Sequence, residues 1–403
     1  MSKCKTFKIG VFFDGTNNNM EKEQTYSNIA KLYKLYDEYD NRHIVNCDVT
    51  TKAIYMQGIG ASDDSEFFDG ATGGGGAKRI NDALEQTVEY FNNGLKLDES
   101  AKFIIDVFGF SRGAALARDY INTFYKKNIE DIHYQFKNLK FNFIGLFDTV
   151  GSFGVAGNDI DFKPIDPKKH SENDFENMWI DDHEDDEDFE KYNFNLSTQS
   201  ASKIVHLVAS NELRENFPLT TASNVATQIE LLGVHSDIGG GYGSIDKEIL
   251  SQSVLLSDFE KREQLTKEDW IYDAKRTDRI TGIYKKQRFV KNSISDIYLF
   301  IMYKFANEYH VPLKKLDLSF DDELLEYFEY INSNIYSSIN YTKAKQIKDT
   351  HIHQSANHPA INTLAYELRD REGIEVSGNN VVNIINAQPK REIYSNFIHQ
   401  AII

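Results

Sequence analysis

The chain has little of what several protein classes require. Only two cysteines, Cys4 and Cys47, stand in 403 residues. That is too few for a disulfide framework, so both are expected as small buried apolar side chains. No run approaches the roughly 18 consecutive apolar residues that span a bilayer. No secretory h-region precedes the first apolar segment, because Met-Ser-Lys-Cys-Lys-Thr passes straight into it. The expectation is a protein made in the cytoplasm of the producing cell without a signal peptide, exported, if at all, by another route. Positive charge is in deficit: 45 Lys and Arg face 62 Asp and Glu, a net charge of −17. This argues against nucleic acid as a partner, whose phosphates need a basic surface, and against electrostatic docking on anionic lipid. Part of the acid is one run, Asp181 to Asp188, which reads as a solvated loop; it lacks the glycine and ligand spacing of a calcium loop. No internal repeat is visible.

What is present is a globular composition, 40% hydrophobic and 13% aromatic, in a chain long enough for a large core. Strand-like segments recur at Phe7–Phe13, Lys52–Gln57, Phe103–Phe108, Phe141–Phe147, Ile204–Ala209 and Ile229–Val234. Helical patterns separate several of them, at Ser27–Glu38, Ala77–Asn92 and Ala114–Lys126. Apolar strands alternating with helices predict an α/β fold with a mostly parallel, doubly wound sheet. Ligands in such sheets sit at the carboxyl ends of the strands. Two regions break the rhythm. Residues 158–200 are acidic and turn-rich yet aromatic, an insertion that is a candidate lid. Residues 245–403 read as a mainly helical extension to a catalytic core at 1–244. Within the extension, Ile294, Ile297, Tyr298, Ile301, Met302 and Phe305 form a stripe at helical spacing, as do Leu324, Phe328 and Ile331. Core packing is the default for both stripes, and a lipid- or partner-facing surface is the sharper alternative.

The most informative stretch is Gly109-Phe-Ser111-Arg-Gly113, which follows an apolar run and precedes an alanine-rich helical pattern. Gly-x-Ser-x-Gly between a strand and a helix is the context of a nucleophile elbow, in which small neighbours let a serine stand above a helix N-terminus. An ordinary turn with a helix-capping serine is the competing reading. A serine nucleophile needs a base, and the base needs an orienting acid. His235, after the last strand and before Gly239-Gly240-Gly241, is the candidate base, with His206 the competitor. His206 lies inside a strand pattern, where a buried hydrogen-bonded histidine is the natural role. Asp148, at the end of the strand after the elbow strand, is the candidate acid. Glu212 and Asp237 are the alternatives. The order Ser111, Asp148, His235 is the one expected of an α/β-hydrolase. Oxyanion donors are expected from the backbone of Arg112 and of Gly15 and Thr16 in the turn after the first strand. Asp14 there reads otherwise as a turn or cap residue. His351, His353 and His358 form a late cluster expected on a surface; without firm ligand spacing they make no metal site. Gly70 to Lys78 lacks the Gly-Lys-Ser/Thr ending of a phosphate loop and reads as a flexible loop.

Five segments taken in order resemble one family. They are Val11-Phe-Phe-Asp14-Gly15-Thr16-Asn-Asn18, Gly109-Phe-Ser111-Arg-Gly113-Ala-Ala115, Phe147-Asp148-Thr-Val-Gly-Ser-Phe-Gly154, His206-Leu-Val-Ala209 with Asn211-Glu212-Leu-Arg214, and Gly233-Val-His235-Ser-Asp237-Ile-Gly-Gly-Gly-Tyr242. Together they are similar to the α/β-hydrolase domain of the type VI secretion phospholipase effectors (type VI lipase effector family one), over roughly residues 7–243. The chain has Asn211 where the family pattern carries Asp. The resemblance implies an antibacterial phospholipase A with Ser111, Asp148 and His235 as triad, and a serine mechanism of this kind is expected to need no cofactor. It also implies phospholipid membrane as substrate, delivery by type VI secretion components into a target-cell periplasm, and a cognate immunity protein. An esterase of small soluble esters and a non-catalytic binding module on a hydrolase scaffold are the other readings of the residues.

Overall fold

The computed structural model describes residues 4–21, 25–44, 46–61, 74–130, 136–151, 192–212, 214, 217–255, 259–267, 271–273, 281–335, 347–353, 391 and 393–396. The proposed lid at 158–200 falls largely outside them, and His358 wholly so; of the glycine stretch at 70–78, expected as a flexible loop, Gly74 to Lys78 instead open a helix. In chain order the first elements are β1 (Cys4–Phe13), α1 (Asn28–Leu35), β2 (Tyr39–Ile44), β3 (Cys47–Met56), α2 (Gly74–Leu97), β4 (Lys102–Phe110), α3 (Arg112–Glu130), β5 (Leu139–Phe147) and β6 (Lys203–Ala209). Then come β7 (Leu219–Thr220), β8 (Thr227–Leu231), α4 (His235–Gly239), β9 (Ile245–Leu255), α5 (Phe259–Lys267), β10 (Ile271–Asp273) and β11 (Thr281–Lys291). The last are α6 (Ile294–Glu308), α7 (Asp322–Asn334), α8 (Lys348–His351) and β12 (Ile393–Tyr394).

A seven-stranded sheet in the order β2-β3-β1-β4-β5-β6-β8 carries the molecule. Every pairing in it is parallel except that of the edge strand β2 with β3. β2 is polar and mostly exposed, which is why hydrophobic patterning does not reveal it. The period-two alternation of β1 shows how the two faces are filled. Phe7, Ile9, Val11 and Phe13 enter one buried cluster with residues of α2 and α3, while Phe12 enters a second with α1 and α6. Both faces are therefore covered, as a parallel sheet requires. β1 is flanked by β3 on one side and β4 on the other, so the chain winds outward in both directions from there. The carboxyl end of β1 lies at this reversal, where a crevice forms in doubly wound sheets.

The helical stripe at 294–305 is buried throughout as α6, and Leu324 and Ile331 of α7 pack into the same cluster. Both stripes are core. The region from 245 departs from the helical expectation at its start. β9, β10 and β11 make an antiparallel sheet, with Ile245 opposite Lys291 and Leu255 opposite Thr281. Its segments are rich in charged and polar residues, so their strand character rests on pairing rather than on apolar periodicity. Cys4 and Cys47 are not buried apolar residues. They lie in register on β1 and β3, Cα atoms 4.5 Å apart and half-buried, and are joined by a disulfide. They stand 43 positions apart in sequence, so only the strand pairing brings them together.

Candidate active site

β4 ends at Phe110, α3 begins at Arg112, and Ser111 makes the whole turn with φ 60°, in the left-handed region. A non-glycine residue held there costs on the order of 1–3 kcal/mol and persists because its surroundings over-determine it. Ser111 N–H donates to Phe147 O at 3.0 Å, and Ser111 O accepts from Ala114 N–H at 3.0 Å. The flanking glycines answer to space. A Cβ at Gly109 would stand 2.5 Å from Ala114 Cα, and one at Gly113 would stand 2.3 Å from Asp14 O. The elbow can therefore close only with hydrogen at both positions.

Asp148 follows β5 and is also in the left-handed region, φ 42°. Its N–H donates to Leu207 O of β6 at 2.7 Å, and its Oδ1 accepts from Ala209 N–H at 2.9 Å. His235 opens α4 after Gly233, which has φ 113°. Its ring reaches both partners: Nδ1 is 2.6 Å from Asp148 Oδ2 and Nε2 is 2.7 Å from Ser111 Oγ. An ionised carboxylate only accepts, so Nδ1 carries the ring proton and Nε2 accepts from the serine hydroxyl. Phe110 stacks on the imidazole with ring centroids 4.7 Å apart, and Phe217 meets it edge-on at 4.9 Å. Gly239 makes room for this wedge, since a Cβ there would come within 2.1 Å of the Phe110 ring. Ser111, Asp148 and His235 are all buried.

Burial and charge act in opposite senses here. Burial disfavours the Asp148 carboxylate, but the charge of Arg391 and the bonds from His235 and Arg391 outweigh it and hold the carboxyl well below its ordinary range. Burial also lowers the His235 pKa; Asp148 opposes this, while Arg214 and Arg391 add to it. At neutral pH the site thus holds a neutral imidazole against an ionised acid.

The alternative residues occupy other roles. His206 is fully buried in β6, and its Nε2 accepts from Thr149 N–H at 3.2 Å. Nδ1 must then be protonated, and it lies 3.2 Å from Gln228 Oε1. Burial pulls this imidazole down to about 3, as suits a neutral structural histidine. Glu212 takes Arg214 on both oxygens at 3.0 Å and accepts the backbone N–H of His235 at 3.1 Å, not the ring. Asp237 caps its own helix by accepting from Val234 N–H at 3.0 Å, and it pairs with His353 Nδ1 at 2.5 Å. His351 and His353 are buried rather than on a surface, and Tyr242 stacks on His353 at 3.7 Å. Asn211 Oδ1 accepts from Gly233 N–H at 2.9 Å, tying the end of β6 to the approach to His235.

The turn after β1 lies beside the elbow. Asp14 is buried, and its carboxylate accepts from Gly15 N–H at 2.7 Å, Asn18 Nδ2 at 3.0 Å, Ser27 Oγ at 2.6 Å and Tyr55 OH at 2.6 Å. Burial raises its pKa in spite of these four donors. The Gly15 amide is therefore engaged with Asp14. Thr16 Oγ1 accepts from Arg112 Nη1 at 3.2 Å, which joins this turn to the first residue of α3. The amides of Arg112 and Gly113 belong to the first helical turn, whose N–H groups have no acceptor within the helix.

One residue of the site escaped the sequence reading. Arg391 places Nη1 at 2.7 Å from Asp148 Oδ1 and Nη2 at 2.8 Å from Asp148 Oδ2. It comes from 243 residues further along the chain, in a stretch with no motif, and no local signal could have marked it.

The family model for the catalytic domain of the Tle1-like phospholipase effectors of the type VI secretion system matches residues 8–127 and 122–257. A solved structure of the Tle1 effector bound to the VgrG spike of that system is 20% identical, covers 89% of this chain and 85% of its own, and superposes with a TM-score of 0.61. The likeness to it is one of fold. An uncharacterized protein from Pseudomonas aeruginosa is 18% identical over 91% of this chain and 55% of its own, with a TM-score of 0.43. No curated protein matches the chain.

Proposed function

The chain belongs to the Tle1-like phospholipase effector family of type VI secretion, and from that premise we propose that it is a serine hydrolase of the phospholipase A type. The observation that supports this reading is the unbroken hydrogen-bonded chain from Ser111 Oγ through His235 to Asp148, at 2.7 and 2.6 Å. His235 Nε2 takes the hydroxyl proton as Ser111 Oγ bonds to the acyl carbonyl carbon of a glycerophospholipid. The carbonyl π electrons move to oxygen. The amide of Arg112, with the backbone of the Gly15–Thr16 turn, holds that oxyanion at the positive end of α3. Because Gly15 N–H is engaged by Asp14, the Thr16 amide is the donor this turn offers. Collapse of the intermediate breaks the ester C–O bond, and the imidazolium returns its proton to the departing alcohol. Water, activated by the same histidine, then releases the fatty acid and restores Ser111. Asp148 keeps Nδ1 protonated and stabilises the imidazolium without itself taking the proton. The chemistry draws on side chains and backbone amides alone.

As an effector the chain acts on the phospholipid of a target cell, reached through a spike component of the secretion apparatus, and the producing cell carries an immunity protein against it. Ser111→Ala tests the chemistry. Fatty-acid release from phospholipid vesicles falls by at least about 10³-fold while Tm and circular dichroism stay those of the native chain. Retention of activity in that variant overturns the reading. A native chain that a fluorophosphonate fails to label at Ser111 points instead to a binding module on a hydrolase scaffold. Equal rates on monomeric and micellar esters identify an esterase of soluble substrates.

A further inference from the structure

A buried carboxylate can be held ionised by backbone amides that donate to it. Here Asp148 has one such donor, Ala209 N–H, and in addition a guanidinium set against both of its oxygens. The two contacts of 2.7 and 2.8 Å are those of a bidentate fork, and both side chains are buried. Arg391 is held from behind as well, because its Nε donates to the carbonyl of Phe217, the residue whose ring meets His235 edge-on. Its own segment is tied down just beyond. Ile393 and Tyr394 pair in parallel with Leu219 and Thr220, and Thr221 N–H donates to Tyr394 O at 3.0 Å. The buried Asn396 side chain bonds Leu196 N–H at 2.6 Å and Leu196 O at 2.8 Å. Residues 391 and 393–396 thus form a strap laid across the carboxyl edge of the sheet, with the arginine at its leading end.

We propose that Arg391 is a positioning residue of the hydrolytic site, fixing the orientation and charge of Asp148, so that the C-terminal strap completes the triad. This rests on the serine-hydrolase reading above. The charged and titratable groups around the pair are Arg391 from the strap, Glu212 and Arg214 after β6, His206 in β6, Asp237 in α4 and Tyr242 beyond it. Glu212 matches Arg214 through two hydrogen bonds, and His353 pairs with Asp237. Arg391 is matched by Asp148 itself. Its cation therefore does two things to the dyad. It keeps the buried carboxylate ionised, and it reduces the negative field at the imidazole, so His235 stays neutral and able to accept the serine proton to lower pH. Loss of the cation moves both pKa values upward, and the acidic limb of activity moves up with them.

The experiment measures the rate of Ser111 labelling by a fluorophosphonate, and kcat/KM on phospholipid vesicles, against pH, in the native chain, R391Q and R391K. In R391Q the acidic limb rises by about one pH unit, so activity on that limb falls about tenfold, with a smaller loss on the plateau. In R391K the limb stays near its native position, because the charge is kept. The plateau kcat falls, because an ammonium cannot grip both oxygens. A strap with a purely architectural role would lower Tm in R391Q and leave the limb where it was, and that result overturns the proposal. If R391Q does not accumulate as folded protein, R391K decides: a native plateau and a native limb together overturn the fork. A native chain that is not labelled at all overturns the serine-hydrolase reading, and this inference with it. Labelling and Ser111 dependence with an unmoved R391Q limb overturn this inference alone.

Discussion

Two carboxylate–histidine pairs lie close together in this molecule, and they differ in what lies beyond the imidazole. Asp148 and His235 are 2.6 Å apart, and Asp237 and His353 are 2.5 Å apart. All four side chains are buried. Asp237 sits two residues from His235 in the same short helix, so proximity does not separate the pairs. The far nitrogen does. His235 Nε2 meets a serine hydroxyl held in a left-handed turn, whereas His353 Nε2 has no hydrogen-bond partner among the described residues, faces Asp246 Oδ2 only at 3.6 Å, and its ring lies flat on Tyr242. The acids differ too. Asp148 is gripped by Arg391, while Asp237 spends its remaining capacity on the amides of Val234 and His353. A histidine paired with a carboxylate is thus a common way to satisfy two buried polar groups. Reactivity needs a nucleophile at the other nitrogen and a charge balance that leaves the ring neutral.

The contrast is open to direct tests, the largest effect first. Asp148→Asn is expected to lower kcat by about 10⁴-fold through the wrong imidazole tautomer, whereas Asp237→Asn keeps kcat per folded molecule within about tenfold. Steady-state assays on both variants, normalised to folded protein, check this; similar losses would mean that the second pair takes part in the chemistry. Next in size is His353→Ala. It removes the ring donor from the buried Asp237, which keeps only the backbone amides of Val234 and residue 353, and it removes the ring stacked on Tyr242, so unfolding free energy falls by about 2–4 kcal/mol with Ser111 labelling preserved. Denaturant titration measures it, and an unchanged midpoint would show that the second pair does not hold α4 in place. The smallest effect is on pH dependence. On the proposed mechanism His235 must be neutral to act, and burial lowers its pKa. The acidic limb of kcat/KM is therefore expected below pH 6.5, the value of a free imidazole, with no second limb from Asp148 in the working range. A limb above 6.5 would mean that Asp148 dominates the field at the ring despite burial and Arg391.

Much of this was readable before any coordinates. The elbow shows itself as a local motif after an apolar strand; Gly109 is demanded by Ala114 within the same turn, whereas Gly113 answers to the backbone of Phe13 and Asp14 on the neighbouring strand. The core strands of the sheet also show themselves, because strands buried on both faces are apolar in unbroken runs. β2 and β9–β11 were not readable, being too polar for hydrophobic periodicity to mark them, although β11 buries Tyr284 and Val290. Of the residues at strand ends, Asp148, Glu212 and Asp237 look alike in one dimension. Only the folded backbone turns the first toward the His235 ring, the second toward its amide and the third toward His353.

The amino-acid sequence alone determined the parallel sheet, the place of the serine and the chain order of its two partners, since sterics and hydrophobic periodicity act between near neighbours. Tertiary structure alone decided the joining of Cys4 to Cys47, the burial of His353 against Asp237 and the arrival of Arg391 at Asp148. Those contacts link residues from 43 to 243 positions apart. An ion pair or disulfide closed over such a span imposes no pattern on the residues beside it, so it exists only once the chain has folded.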